Sequence, residues 1–188
     1  MSIETIISIC LGIGLSASVG FRVFLPLFAL SLAAYLDFWP LNESWEWVGS
    51  TAALITLGVA TLVEILGYFI PYIDNLLDTV AVPLAALAGT AVMLSTMADL
   101  SPVVTWSLAI IAGGGTAAAI AGTSSTTRLV STATTGGIGN PLVSTVETGT
   151  SIILSVVSIF LPVVAIVLVI IILFVIFKVF KKFKPTKA

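Results

Sequence analysis

Histidine is absent from the sequence, cysteine occurs once (Cys10), and seven Lys or Arg plus nine Asp or Glu are the only charges in 188 residues. One cysteine forms no internal disulfide, and without histidine a zinc or haem site is essentially excluded. No side chain with an ordinary pKa near neutrality is present either. Charged residues make up 9% of the chain and apolar residues 59%, against about 25% and about 45–50% in a typical soluble domain. With a mean hydropathy of +1.22, a water-soluble globule of this size would expose large apolar patches. These scarcities exclude a soluble enzyme, a disordered chain and a nucleic-acid binder. What remains is a polytopic membrane protein.

A helix needs roughly 20 apolar residues to cross the hydrocarbon core. Five stretches qualify: about 3–36, 49–72, 79–98, 103–122 and 151–178. The first is too long for one simple crossing and is interrupted near Gly20-Phe21-Arg22 and at Pro26, so it reads as a kinked helix or two half-helices. The last has Pro162 as its only breaker. Lys178, Lys181, Lys182, Lys184 and Lys187 crowd the end of the chain. They place the C-terminus in the cytoplasm and offer a contact for anionic lipid headgroups. A secretory signal is disfavoured, because the leading region carries Glu4 and no cation. The loop from Asp37 to Gly49 combines Trp39, Trp45 and Trp47 with Asp37, Glu43 and Glu46 and no cation, the composition of an external interfacial belt. That arrangement puts the N-terminus inside and requires an even number of crossings. Residues 123–150 must then supply one more crossing or a re-entrant excursion.

Residues 113–150 are small or hydroxyl-bearing almost throughout, with Arg128 and Glu147 as their only charges. In water this composition reads as a flexible linker. Between two apolar spans it reads as helix, because small residues let membrane helices approach closely and hydroxyls satisfy freed backbone groups. Gly136-Gly137-Ile138-Gly139-Asn140-Pro141 is a helix stop followed by a start. The expectation is a helix over 103–134, a sharp turn, and a second helix opening at Pro141 with Asn140 as its cap. It is either a close-packed hairpin or a discontinuous helix lining a polar cavity.

A lone charge at the bilayer centre costs at least about 2.5–3.5 kcal/mol, so Arg22, Glu64, Asp74, Asp78, Arg128 and Glu147 should face one another or water. Asp74 and Asp78 are four apart and share a helix face. Together they point to a cation or an arginine partner, although Asp78 on its own reads as a solvated helix start. Arg22 and Arg128 each follow a run of small residues, and Tyr68-Phe69-Ile70-Pro71 echoes Ser158-Ile159-Phe160-Leu161-Pro162. These are weak traces of a duplication with halves at about 1–80 and 100–180.

Three motifs carry a resemblance: Gly20-Phe21-Arg22-Val23-Phe24-Leu25-Pro26-Leu27, Glu64 with Ile70-Pro71-Tyr72-Ile73-Asp74-Asn75-Leu76-Leu77-Asp78, and the long run from Arg128 through Gly136-Gly137-Ile138-Gly139-Asn140-Pro141 to Glu147. Over essentially its whole length the sequence resembles a bacterial integral-membrane family described as a domain of unknown function (family 4126). The resemblance implies a compact bacterial membrane protein and brings no activity. Phe69, Ser125 and Thr148 stand at or near places where that family tends to carry charge. Their loss weighs against a dense polar relay and leaves Arg22, Arg128, Glu64, Asp74 and Glu147 as the residual set.

The reading is therefore an all-α transmembrane bundle of about six helical segments in the bacterial inner membrane, forming a single domain with a basic tail from 178. Its expected role is a small transporter or channel-like permease for an anion or polar solute. Arg128 would pair with Glu147 or Glu64, and a path would be lined by Thr134, Thr135, Asn140 and their neighbours. The rival is a structural or lipid-interacting protein, with a homodimer compatible with its small-residue faces. No cofactor and no nucleic acid are expected. An enzyme is disfavoured, because acid–base chemistry would rest on carboxylates alone. A water-filled cavity at Arg128 and the Gly136–Pro141 turn would favour transport, and dry packing the structural role.

Overall fold

A computed structural model describes residues 2–97 and 100–183. Among them are eight α-helices: α1 (Ile3–Val19), α2 (Phe24–Tyr35), α3 (Thr51–Gly67), α4 (Pro71–Thr96), α5 (Pro102–Leu108), α6 (Gly115–Thr135), α7 (Asn140–Phe160) and α8 (Pro162–Phe183). A 3₁₀ helix at Glu43–Gly49 precedes α3, and a π-helical turn at Ala109–Gly114 joins α5 to α6. The chain is an all-α bundle with two more segments than the composition suggested, because two of the apolar stretches are broken.

Local chemistry sets the breaks. Ser2 caps α1 by accepting from the Thr5 amide at 3.1 Å, and Ser50 caps α3 through the Ala53 amide at 3.2 Å. Pro71 and Pro162 open α4 and α8, where a missing N–H costs nothing. The stretch 3–36 is two helices parted at residues 20–23. Pro26 does not break it, because it falls in the first turn of α2, where the amide has no intrahelical partner. The segment 151–178 is likewise divided at Pro162, and α4 starts eight residues before 79. The expected turn is present: α6 ends at Thr135, Gly136 and Gly137 take φ of 64° and 88°, and α7 begins at Asn140. The helix therefore starts one residue earlier than expected, with Gly139 at the capping position.

α1 packs antiparallel to α4. Gly12 faces Met93 and Thr96, and the Ser16 hydroxyl donates to the Gly89 carbonyl at 2.9 Å. α2 turns back toward the end from which α1 started, and the Asn42 amide donates to the Ser95 carbonyl at 3.0 Å. The start of α1, the tryptophan loop and the end of α4 thus meet around one cleft of about 590 Å³, lined by Glu4, Ser8, Trp39, Leu41 and Thr96. This corrects the expected topology, in which one crossing separated the N-terminus from that loop. α8 runs alongside α1, with Val169 packed against Ala17 and Ile172 and Ile176 on the same cluster. The exposed Lys178 and Lys181 consequently lie at the end opposite the start of α1. Lys184 and Lys187 lie outside the described residues, as does the side chain of Lys182.

The polarity of the bundle is inverted relative to a soluble protein. Its outside is apolar: Ile55, Val59, Leu62, Val63 and Leu66 on α3 and Ile171, Phe174 and Val175 on α8 are exposed. Its inside holds Arg22, Glu64, Asp74, Arg128, Asn140 and Glu147, all buried. Three helical segments, Tyr72–Thr96, Pro102–Thr135 and Asn140–Phe160, are long and apolar enough to cross a membrane, or up to four with the bent pair Glu43–Gly49 and Thr51–Gly67. Apolar helices around a polar core fit a membrane protein.

Candidate functional site

The site forms where three chain breaks converge: residues 20–23 between α1 and α2, the turn before Pro71, and the Gly136–Gly139 turn. Arg22 stands in the first break and is 1% exposed. Its Nε donates to Thr148 Oγ1 at 2.9 Å, and its Nη2 donates to the Ser144 carbonyl at 2.9 Å and the Ser144 hydroxyl at 2.5 Å. One guanidinium therefore stitches the α1–α2 break to the second turn of α7. Its Nη1 lies 3.7 Å from Oε2 of Glu147, within ion-pair reach but without a hydrogen bond.

Arg128 sits inside α6 and is 2% exposed. Nη1 donates to Asp74 of α4 and Nη2 to Glu147 of α7, while Nε lies 3.7 Å from Asp78. The aspartate pair thus receives the arginine partner that its spacing pointed to. Asp78 is no solvated helix start, since its side chain is 14% exposed and faces Arg128. Asp74 also accepts from the Asn140 amide at 2.8 Å, and the same nitrogen reaches Thr132 at 3.0 Å. Asn140 therefore spends its side chain on the cluster rather than on capping α7. The Tyr68 ring lies against both arginines, with each guanidinium carbon 4.0 Å from the ring centroid.

Of the two partners expected for Arg128, Glu147 takes the place and Glu64 does not. The two oxygens of Glu64 accept the backbone amides of Val23 at 2.7 Å and Phe24 at 3.0 Å. α2 has no side-chain cap of its own, so a carboxylate from α3 satisfies two of its orphan N–H groups and meets the positive end of its dipole.

Thr134 and Thr135 do not join the site. Both are exposed and bond back to the Val130 and Ser131 carbonyls of their own helix. Much of the hydroxyl-rich segment behaves this way: Thr123, Thr126 and Thr127 each donate to a carbonyl four residues earlier, which satisfies a hydroxyl on an apolar helix surface. The segment lines no path there. The residues that composition alone left unmarked are Tyr68, Ser144 and Thr148, together with a serine ladder in which Ser18 meets Ser151 at 2.9 Å and Ser155 at 2.7 Å. Regular spacing of serines at 144, 151, 155 and 158 on α7 was the available signal, since these fall on one helical face.

The space enclosed by the cluster is about 10 Å³, bordered by Glu64, Tyr68, Asp78, Arg128 and Glu147. That is at the lower limit for one water molecule. Around these side chains the polar core is densely packed. Among the described residues no group of three or more His, Cys, Asp or Glu side chains is placed to hold a metal ion.

A family model described as Domain of unknown function (DUF4126) matches residues 9–182. The chain belongs to that family. Every residue of the cluster falls inside the matched region. No curated protein and no solved structure matches the chain.

Proposed function

We propose that this family member is a small carrier that exchanges a proton for a monovalent cation across the membrane, with the buried cluster as its exchange site. The observation that carries the reading is the charge imbalance inside the bundle. Arg22 and Arg128 face four carboxylates, Glu64, Asp74, Asp78 and Glu147. Glu64 has the N-terminus of α2 as its counter-charge. Counted with every carboxylate ionised, three carboxylates then share two guanidiniums, an excess of one negative charge. An uncompensated charge in an apolar interior is costly, so the site demands one further positive charge. A proton supplies it in one state and a cation in the other, which ties the two movements together in a ratio of one to one.

The imbalance also argues against the anion expected from composition. Apart from Arg22 Nη1, the guanidinium donors near the carboxylates already have carboxylate, carbonyl or hydroxyl partners, which an anion would have to displace. The small volume at the cluster weighs against a pore, and the carrier reading rests on the charge count rather than on a cavity. The same close packing favours a second reading, in which the cluster only locks four helices together.

Flux separates the two. Purified protein is reconstituted into liposomes with a trapped pH indicator, and outward gradients of sodium, potassium or tetramethylammonium are imposed. The carrier reading expects proton counter-flux driven by at least one cation and lost in Arg128→Ala, with the variant still inserted. Rates equal to those of empty liposomes across the panel would leave the locking role.

A further inference from the structure

A groove of about 500 Å³ opens on the outer surface between α6, α7 and α8. Its walls are almost wholly apolar, with Ile172 and Val175 of α8 facing Val143 and Val146 of α7. Its floor is not. Glu147 lies there, and Phe21, Ser124 and Glu147 line both this groove and the small space inside the charged cluster. The groove and the exchange site are therefore neighbours that share these three side chains.

Glu147 is asymmetric in a way that bears on what the groove holds. Arg128 and Arg22 both approach Oε2. Oε1 accepts no hydrogen bond among the described residues. Glu147, with one oxygen uncommitted among the described residues, thus lines an apolar slot on the outer surface of the bundle. Thr123 and Thr127 stand at the rim, but their hydroxyls are committed to backbone carbonyls, so they add little polarity. Apolar walls ending in a carboxylate of a cluster that holds one more carboxylate than its two guanidiniums and the α2 N-terminus offset complement one ligand class.

The geometry points to an amphiphilic monocation, a quaternary ammonium or phosphonium with apolar substituents, as the ligand of this groove. Its hydrophobic substituents lie between α7 and α8, and its charge rests against Oε1 of Glu147. This assignment rests on the carrier reading and deepens it: the cation exchanged for the proton enters from the lipid side rather than from water. A fully hydrated inorganic ion gains nothing from these walls, whereas burying apolar substituents returns about 25 cal/mol per Å².

The test is equilibrium binding of radiolabelled tetraphenylphosphonium to the full chain in phosphatidylcholine nanodiscs. Saturable binding is expected, at least tenfold weaker in Glu147→Gln. Because Glu147 also holds Arg128, a second variant leaves the cluster intact: Val143→Trp fills the groove and should weaken binding at least tenfold with unchanged thermal stability. Saturable binding no greater than in empty discs overturns the assignment, as does binding that Val143→Trp leaves unaltered. Tighter binding of the isosteric anion tetraphenylborate would overturn it too. Proton exchange with small cations that persists while tetraphenylphosphonium fails to bind would sink this assignment and spare the carrier reading.

Discussion

Asp74 and Arg128, 54 residues apart in sequence, form an ion pair in which the side chains are 1% and 2% exposed. Neither group reaches solvent, so each is the other's solvation. Removing one partner of a buried pair typically costs about 3–5 kcal/mol, because the survivor is left charged and unpaired. Arg128→Ala strands Asp74 and Glu147 together and should fall at the upper end of that range. Arg128→Met combined with Asp74→Asn should recover part of the loss, with a coupling of about 1–3 kcal/mol between the two positions. Thermal or denaturant unfolding of the parent, Arg128→Met, Asp74→Asn and the double variant in one detergent measures the cycle. Additive effects would mean that the pair contributes nothing as a pair.

Glu64 poses a separate question, since it serves backbone amides rather than an arginine. Losing a helix cap costs about 0.5–2 kcal/mol, and Glu64 caps α2 through two amides at once. Glu64→Ala should therefore cost about 2 kcal/mol and free the Val23 and Phe24 amides. Glu64→Gln keeps one acceptor and should lose about half as much. Amide hydrogen exchange over residues 20–28 reads the effect directly: faster exchange in Glu64→Ala, with α7 peptides unchanged.

Much of this architecture was legible in the sequence, and the failures have physical causes. The helical class, the break around Gly20-Phe21-Arg22 and the Gly136–Pro141 turn follow from hydrophobic run length and from glycine and proline chemistry, which are local. The partner of Asp74 and Asp78 was half legible, because two like charges four apart on an apolar helix need a cation nearby. Which cation is a matter of packing. Glu64 and Glu147 are both lone acids within apolar or hydroxyl-rich sequence, yet one meets an arginine and the other a helix N-terminus. Thr134 and Thr135 misled for a related reason: a hydroxyl in a small-residue helix satisfies itself on its own backbone as readily as it lines a cavity. The expected separation of the N-terminus from the tryptophan loop failed because a broken helix that folds back on itself has the same composition as one that continues.

Close helix approach depends on Gly89 but not on Gly149, and the two should respond to alanine in opposite directions. A Cβ added at Gly89 would lie 2.6 Å from the Ala117 methyl and 2.9 Å from the Gly113 carbonyl oxygen, whereas one at Gly149 meets nothing within 4 Å. Gly89→Ala should force α4 away from the π turn and cost about 1–3 kcal/mol. Gly149→Ala should stabilise α7 by about 0.5–1 kcal/mol, the helix preference of alanine over glycine. Melting temperatures of the two variants should bracket the parent. A Gly89→Ala variant as stable as the parent or more so would show that α4 and the π turn are less closely apposed than these distances require.

The returning course of α2 makes a claim about sidedness that differs from a simple count of apolar runs. If α1 and α2 form a hairpin, Glu4 and Ser44 face the same side of the membrane, because the start of α1 and the tryptophan loop share one cleft. Lys181, near the end of α8, faces the other side, since α8 runs alongside α1. In a Cys10→Ser background, Glu4→Cys, Ser44→Cys and Lys181→Cys place one thiol at each of these exposed positions. A membrane-impermeant maleimide added to intact cells should label the first two and spare the third, which reacts only after the membrane is opened. Glu4→Cys and Lys181→Cys reacting together, with Ser44→Cys protected or the reverse, would restore an uninterrupted first crossing. The α1–α2 hairpin, and with it the placement of Arg22 at an interior break, would then be wrong.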